Sequence, residues 1–137
     1  LNDGLYQLVR TLKLDVLLID THPGLNEETL LSIAISDALA VVLRPDQQDY
    51  QGTSVTGEVA RKLRVPHMVL IVNKVPHMFD ADEVRQRVEQ TYNCDVAAVI
   101  PHSDELMALA SADIFALRYP DHLLTMAYRQ IMNALIG

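Results

Sequence analysis

Asp20 ends the segment Asp-Val-Leu-Leu-Ile-Asp-Thr-His-Pro-Gly, residues 15 to 24. A carboxylate that closes an apolar run and is followed at once by Pro23-Gly24 has few ordinary uses. It can hold a water on a nucleotide-bound magnesium ion, it can accept a phosphoryl group, or it can merely cap a turn. Gly24 fits the first use, because a residue without Cβ lets its backbone N–H approach a terminal phosphate closely. A second cluster, Asn73-Lys74, closes another apolar run, and a third lies at Pro101 to Asp104. Asn is a common turn residue, so on its own Asn73 reads as the cap of a turn. The five histidines share no ligand spacing, so none is assigned to a metal.

These residues need elements to hold them. Leu5, Leu8, Val9 and Leu12 recur at helical spacing and predict a helix over residues 3 to 13. Val-Leu-Leu-Ile-Asp, 16 to 20, reads as a first buried strand. Asn26 is placed to cap a helix whose first turn carries Glu27 and Glu28. Ala38 to Leu43 reads as a second strand, and Asp46 to Gly52 as a polar loop. A helix is expected from Thr53 or Ser54 to about Arg64, ahead of Val65-Pro66. His67 to Asn73 reads as a third strand, Asp80 and Glu83 as a capping box for a helix ending near Tyr92, and Asp95 to Pro101 as a fourth strand. Two helices, near 104 to 111 and 121 to 135, complete the chain. The alternation predicts one α/β domain over residues 1 to 137, with a mainly parallel sheet flanked by helices. Ligands of such sheets collect at the carboxyl ends of the strands, where Asp20 to Gly24, Arg44 to Asp46, Asn73-Lys74 and Pro101 to Asp104 all fall.

Bulk properties narrow the classes. The chain has 137 residues, half of them apolar, which is enough for one real core. A net charge of -7 disfavours direct nucleic-acid binding. The single cysteine, Cys94, excludes an internal disulfide and suits a cytoplasmic protein. No apolar run reaches membrane-spanning length. The chain begins with Leu1, and its natural N-terminus is expected to lie upstream.

Residues 15 to 24, the strand end Val-Val-Leu-Arg-Pro at 41 to 45, Val-Asn-Lys at 72 to 74 and the strand-proline at 100 to 101 together resemble the C-terminal half of a MinD/ParA-type ATPase. These are the deviant Walker A class of P-loop proteins, and the resemblance spans nearly the whole chain. The MinD branch fits better than ParA, through Leu-Leu-Ile-Asp-Thr-His-Pro-Gly-Leu. The resemblance implies a positioning or partitioning ATPase, as in cell division, that dimerises with ATP and recruits a protein partner. It implies ATP and Mg2+ as ligands, with Asp20 positioning magnesium through water and Gly24 sensing the γ-phosphate. Asn73, Lys74, Pro101 and Asp104 would lie on the adenine side. Membrane association would come only through a tail beyond Gly137. The helix over 121 to 135 has an apolar face at Leu124, Tyr128, Ile131 and Leu135 but only Arg129 as a basic residue, so it is expected to pack on the sheet.

Two departures matter. The family's lysine- and glycine-rich phosphate loop is absent from these residues and would lie before Leu1, so this segment alone is expected to be inactive. The family often has an aspartate two residues after the strand-end proline, where this chain has Ser103, with Asp104 one later. Pro76 stands where a guanine reader carries a carboxylate, which favours adenine. Two other readings stay open. A response-regulator receiver domain would use Asp20 as phosphoacceptor and Lys74 as its strand-end lysine, but more than 60 residues follow Lys74. An α/β interaction module would have no nucleotide chemistry at all.

Overall fold

The computed structural model describes residues 2 to 137. The elements run α1 (Asn2–Leu12), α2 (Glu27–Ile35), β1 (Ala38–Leu43), α3 (Gln47–Lys62), β2 (His67–Val75), α4 (Ala81–Tyr92), β3 (Val96–Pro101), α5 (Asp104–Leu109), α6 (Phe115–Arg118) and α7 (Leu123–Ile136). The three strands form one parallel sheet in the order β1-β2-β3. This is the α/β architecture that the alternation of apolar runs and helical periods predicts.

β2 is hydrogen-bonded on both edges, and Val69 to Val72 are buried. On one face Leu70 and Val72 pack with Leu43, Val84, Val88, Tyr92 and Val96. On the other, Ile71 packs with Ala98, Ile100, Phe115 and Leu124. Val96 and Ala98 face opposite sides although two residues apart. The reason is a bulge: Leu70 pairs with Val96 and Ile71 with Ala98, so Ala97 is extra and reverses the alternation. α3 and α4 cover the first face, tied by the Tyr50 and Tyr92 rings 6.1 Å apart and by the Tyr92 hydroxyl donating to the Tyr50 carbonyl at 2.9 Å. α7 covers the second face through Leu124, Tyr128 and Ile131, as its apolar stripe predicts.

The capping chemistry acts as its residue types dictate. Asn26 Oδ1 accepts from Thr29 N at 2.8 Å, and Asp80 Oδ1 accepts from Asp82 N and Glu83 N, both at 3.0 Å. Cys94 is half-buried, and burial pushes its thiol pKa up, so it is no activated nucleophile.

Two expectations need correction. Asp46 to Gly52 is not a loop: Asp46 caps α3 by accepting from Asp49 N at 3.0 Å, and the helix runs straight through Gly52. Residues 16 to 20 form no strand, because no neighbouring strand bonds to them. α6, a single turn, has no counterpart in the sequence reading.

Burial raises the Tyr92 phenol to about 12, with the Tyr50 and Asp49 charges adding to the effect. A raised phenol favours the neutral form in the folded state. Its contribution is therefore complete below pH 10 and is lost as pH rises from 10 to about 12. Tyr92→Phe should cost about 1 kcal/mol at neutral pH through the lost hydrogen bond, and should show a shallower fall in stability above pH 10. Denaturant melts of both proteins across that range check it, and parallel pH profiles would refute the role given to the phenol.

Candidate functional site at the strand ends

The residues singled out in the sequence fall into two groups. Asp20 and Gly24 lie in the irregular segment that leads from α1 into α2. They line a groove of about 790 Å³ that Ala38 to Val42 of β1 also line. Asp20 is exposed and makes no ion pair among the described residues. Gly24 has φ +96°, and a Cβ there would meet no atom within 4 Å. Its conformation, and not crowding, is what calls for glycine. His22, between them in sequence, is exposed and lines the same groove.

The second group gathers at the carboxyl ends of β2 and β3. Val75 is in register with Pro101, and His102 N donates to the Val75 carbonyl at 2.9 Å. Between Val72 and Val75 the register slips again, this time with the extra residue on β2. Asn73 and Lys74 form that bulge. Lys74 takes φ 55°, and Asn73 Oδ1 accepts from Lys74 N at 2.9 Å. The Asn-Lys pair is thus a backbone device as well as a pair of polar side chains. Pro76 leads into a tight turn in which its carbonyl accepts from Phe79 N at 3.1 Å.

Across from it, Ser103 caps α5, with Leu106 N donating to its Oγ at 3.1 Å. The Ser103 hydroxyl donates to Glu105 Oε2 at 2.8 Å, and His102 Nε2 lies 3.2 Å from Asp104 Oδ1. Asp104 is otherwise open to solvent. Glu105, which the sequence reading passed over, is held below the usual carboxylate range by its own backbone N–H, then by Ser103, with smaller help from His122 and His77. A Ser-x-Glu pattern at a helix start was the available signal.

The Arg44 end of β1 is closed by its own ion pairs. Arg44 Nε lies 3.3 Å from Asp46 Oδ2 and 3.2 Å from Asp49 Oδ2. The Arg44 backbone N–H chiefly holds the Asp49 carboxyl below its usual range. This knot explains why the helix starts early.

Asn73, Lys74, Pro101 and Asp104 do not border the groove that Asp20 and Gly24 line. Tested against a magnesium–triphosphate, the residues present fit in part. An open, unpaired carboxylate and a left-handed glycine suit water-mediated magnesium and a γ-phosphate contact. Among the described residues no group of three or more His, Cys, Asp or Glu could hold a metal directly, which suits only an ion held mainly by phosphate and water.

No family model matches the chain. Over 124 residues, 90% of this chain, it is 27% identical to an uncharacterized ATP-binding protein of Methanocaldococcus jannaschii. The chain spans about half, 47%, of that relative's length. Among the described residues no helix is long and apolar enough to cross a membrane.

A lysine at φ 55° is strained, and glycine is not. Lys74→Gly should therefore raise stability by about 0.5–1 kcal/mol. Chemical denaturation checks it; an unchanged or lowered midpoint would mean that the lysine side chain contributes more than its backbone costs.

Proposed function

We propose that this chain is the C-terminal half of a MinD-like ATPase domain and carries the magnesium-side and adenine-side elements of its nucleotide site. The observation that carries the reading is the pair Asp20 and Gly24, an unpaired carboxylate and a left-handed glycine on one groove beside the sheet. The similarity to an ATP-binding protein along 90% of this chain supports the same nucleotide.

In this reading Asp20 orients a water on magnesium, and the Gly24 N–H meets the terminal phosphate. The bound metal supplies charge neutralisation on the phosphoryl oxygens. Asn73 and the Pro101 to Asp104 corner hold the adenine edge, while the Lys74 bulge sets the approach of that backbone. The phosphate-cradling lysine belongs to a segment before Leu1. The protein would switch between monomer and ATP-bound dimer, recruit a protein partner and work in the cytoplasm or against the inner membrane.

Phosphoryl transfer depends on positioning and electrostatics, so Asp20→Ala in the full-length protein should cut ATP turnover at least about tenfold. Its melting curve should stay unchanged, because the side chain is exposed. Turnover equal to the parent would reduce Asp20 to a turn residue. The full-length protein should also prefer ATP to GTP. Pro76 cannot supply the charged acceptor that guanine needs, a loss of about 1.5–3 kcal/mol, or roughly ten- to hundredfold. Competition binding decides it, and equal affinity would remove the adenine assignment.

A further inference from the structure

A second cavity opens at the other end of the sheet, away from the strand ends that carry Asn73 and Pro101. It has a volume of about 330 Å³ and lies among the amino-terminal part of β2, one face of α3 and the last turn of α4. From Leu70, which lines it, to Asn73 is about 10 Å along β2. β2 is paired on both edges, so no further strand can enter beside it here. The two helices are joined across the cavity by Arg61 Nη2, which donates to the Tyr92 carbonyl at 2.6 Å.

Three features set this cavity apart from a packing gap. Gly57 sits inside α3 without a left-handed φ, a place where glycine is unfavourable. A Cβ there would stand 3.9 Å from Arg61 Nη1 and 3.9 Å from the terminal methyl of Met68. Those are ordinary contacts, so crowding does not demand glycine; its missing side chain leaves the space open. Thr53, one turn earlier, lines the cavity and is 5% exposed, and its hydroxyl makes no hydrogen bond among the described residues. A buried hydroxyl without a partner is costly, and the cavity is where a partner would sit. Glu58 and Arg61 also line it, and neither forms an ion pair among the described residues. Arg61 is held instead by the Tyr92 carbonyl, which leaves its other N–H groups to donate.

We propose that this cavity binds a free α-amino acid. Its carboxylate would meet Arg61, its ammonium group Glu58 and the Thr53 hydroxyl, and its side chain Met68 and Leu70. The charges select this class. A plain anion would be repelled by Glu58 and a plain cation by Arg61. An apolar ligand would leave Arg61 and Thr53 unpaired. The volume lies at the low end for ligand pockets and suits a molecule of this size. The site is separate from the residues assigned to the nucleotide and does not depend on that reading.

Thermal melting and calorimetry of the full-length protein without nucleotide test it, with each standard L-amino acid added singly. At about tenfold above its dissociation constant, at least one should raise the melting midpoint by about 3–6 °C. The matching amine and the matching carboxylic acid, each lacking one of the two charges, should bind at least about tenfold more weakly, and so should the amino acid to Arg61→Gln. Gly57→Leu, which fills the cavity and favours the helix, should melt no lower than the parent and lose the shift. Thr53→Val should fold as well as the parent and bind more weakly. No binding by any amino acid would overturn the proposal. Binding that survives in both Arg61→Gln and Gly57→Leu would place the ligand elsewhere and overturn it too. Equal binding of the carboxylic acid would make this a plain anion site and overturn the assignment to an amino acid.

Discussion

Pairing of β2 on both edges is the constraint from which the rest of the molecule follows. A strand with neighbours on both sides and helices on both faces must be apolar throughout, and Val69 to Val72 are. Its two faces then decide where the helices go. Leu70 and Val72 call for α3 and α4, and Ile71 calls for α7. The two register slips along its contact with β3 also have separate consequences. The slip at Ala97 puts Ala97 and Ala98 on the same core and so changes which residues of β3 reach each face, and the slip at Asn73-Lys74 turns the end of β2 toward the 101 to 104 corner.

β1 is the less complete member. It has a partner on one side only, and its burial is partial along most of its length although its sequence is as apolar as that of β2. The same mismatch marks residues 16 to 20, where a strand sequence has no strand. Both line the same groove.

That mismatch also shows what could be read beforehand. Element type followed from periodicity and caps wherever the bonding partner lies within the chain. β1 is bounded as its apolar run predicts, and α2 and α4 begin at the side chains expected to cap them. Expectation failed for two different reasons. Residues 16 to 20 have strand propensity, but a strand exists only by pairing. Asp46 to Gly52 has loop composition, yet the tie of Asp49 to Arg44 and the Asp46 cap make it the first turns of α3. Asn73, Lys74 and Pro101 fall at or near the ends of β2 and β3, whereas Asp20 ends no strand, because residues 16 to 20 pair with none. The division of the site residues between a groove beside β1 and a corner between β2 and β3 was not legible, because it depends on strand order.

Backbone strain gives an independent view of the same residues. Positive φ occurs at Lys13, Gly24, Arg64, Lys74, Asn93 and Ala110 among the described residues. Four of these have an ordinary cause, for Lys13, Arg64, Asn93 and Ala110 directly follow α1, α3, α4 and α5 at or just past their ends. Left-handed residues commonly terminate helices. Gly24 and Lys74 end no helix. One lies beyond Asp20 on the groove, and the other sits in a bulge at the end of the most buried strand. Of the two only Lys74 is strained, since glycine adopts a positive φ freely, and a bulge at a strand end re-aims the backbone that carries it. The two positions that helix termination leaves unexplained therefore fall in the two segments whose residue types suggested chemistry. Gly24 lines the groove that β1 also borders, and Lys74 lies at the end of β2, the strand paired with β1.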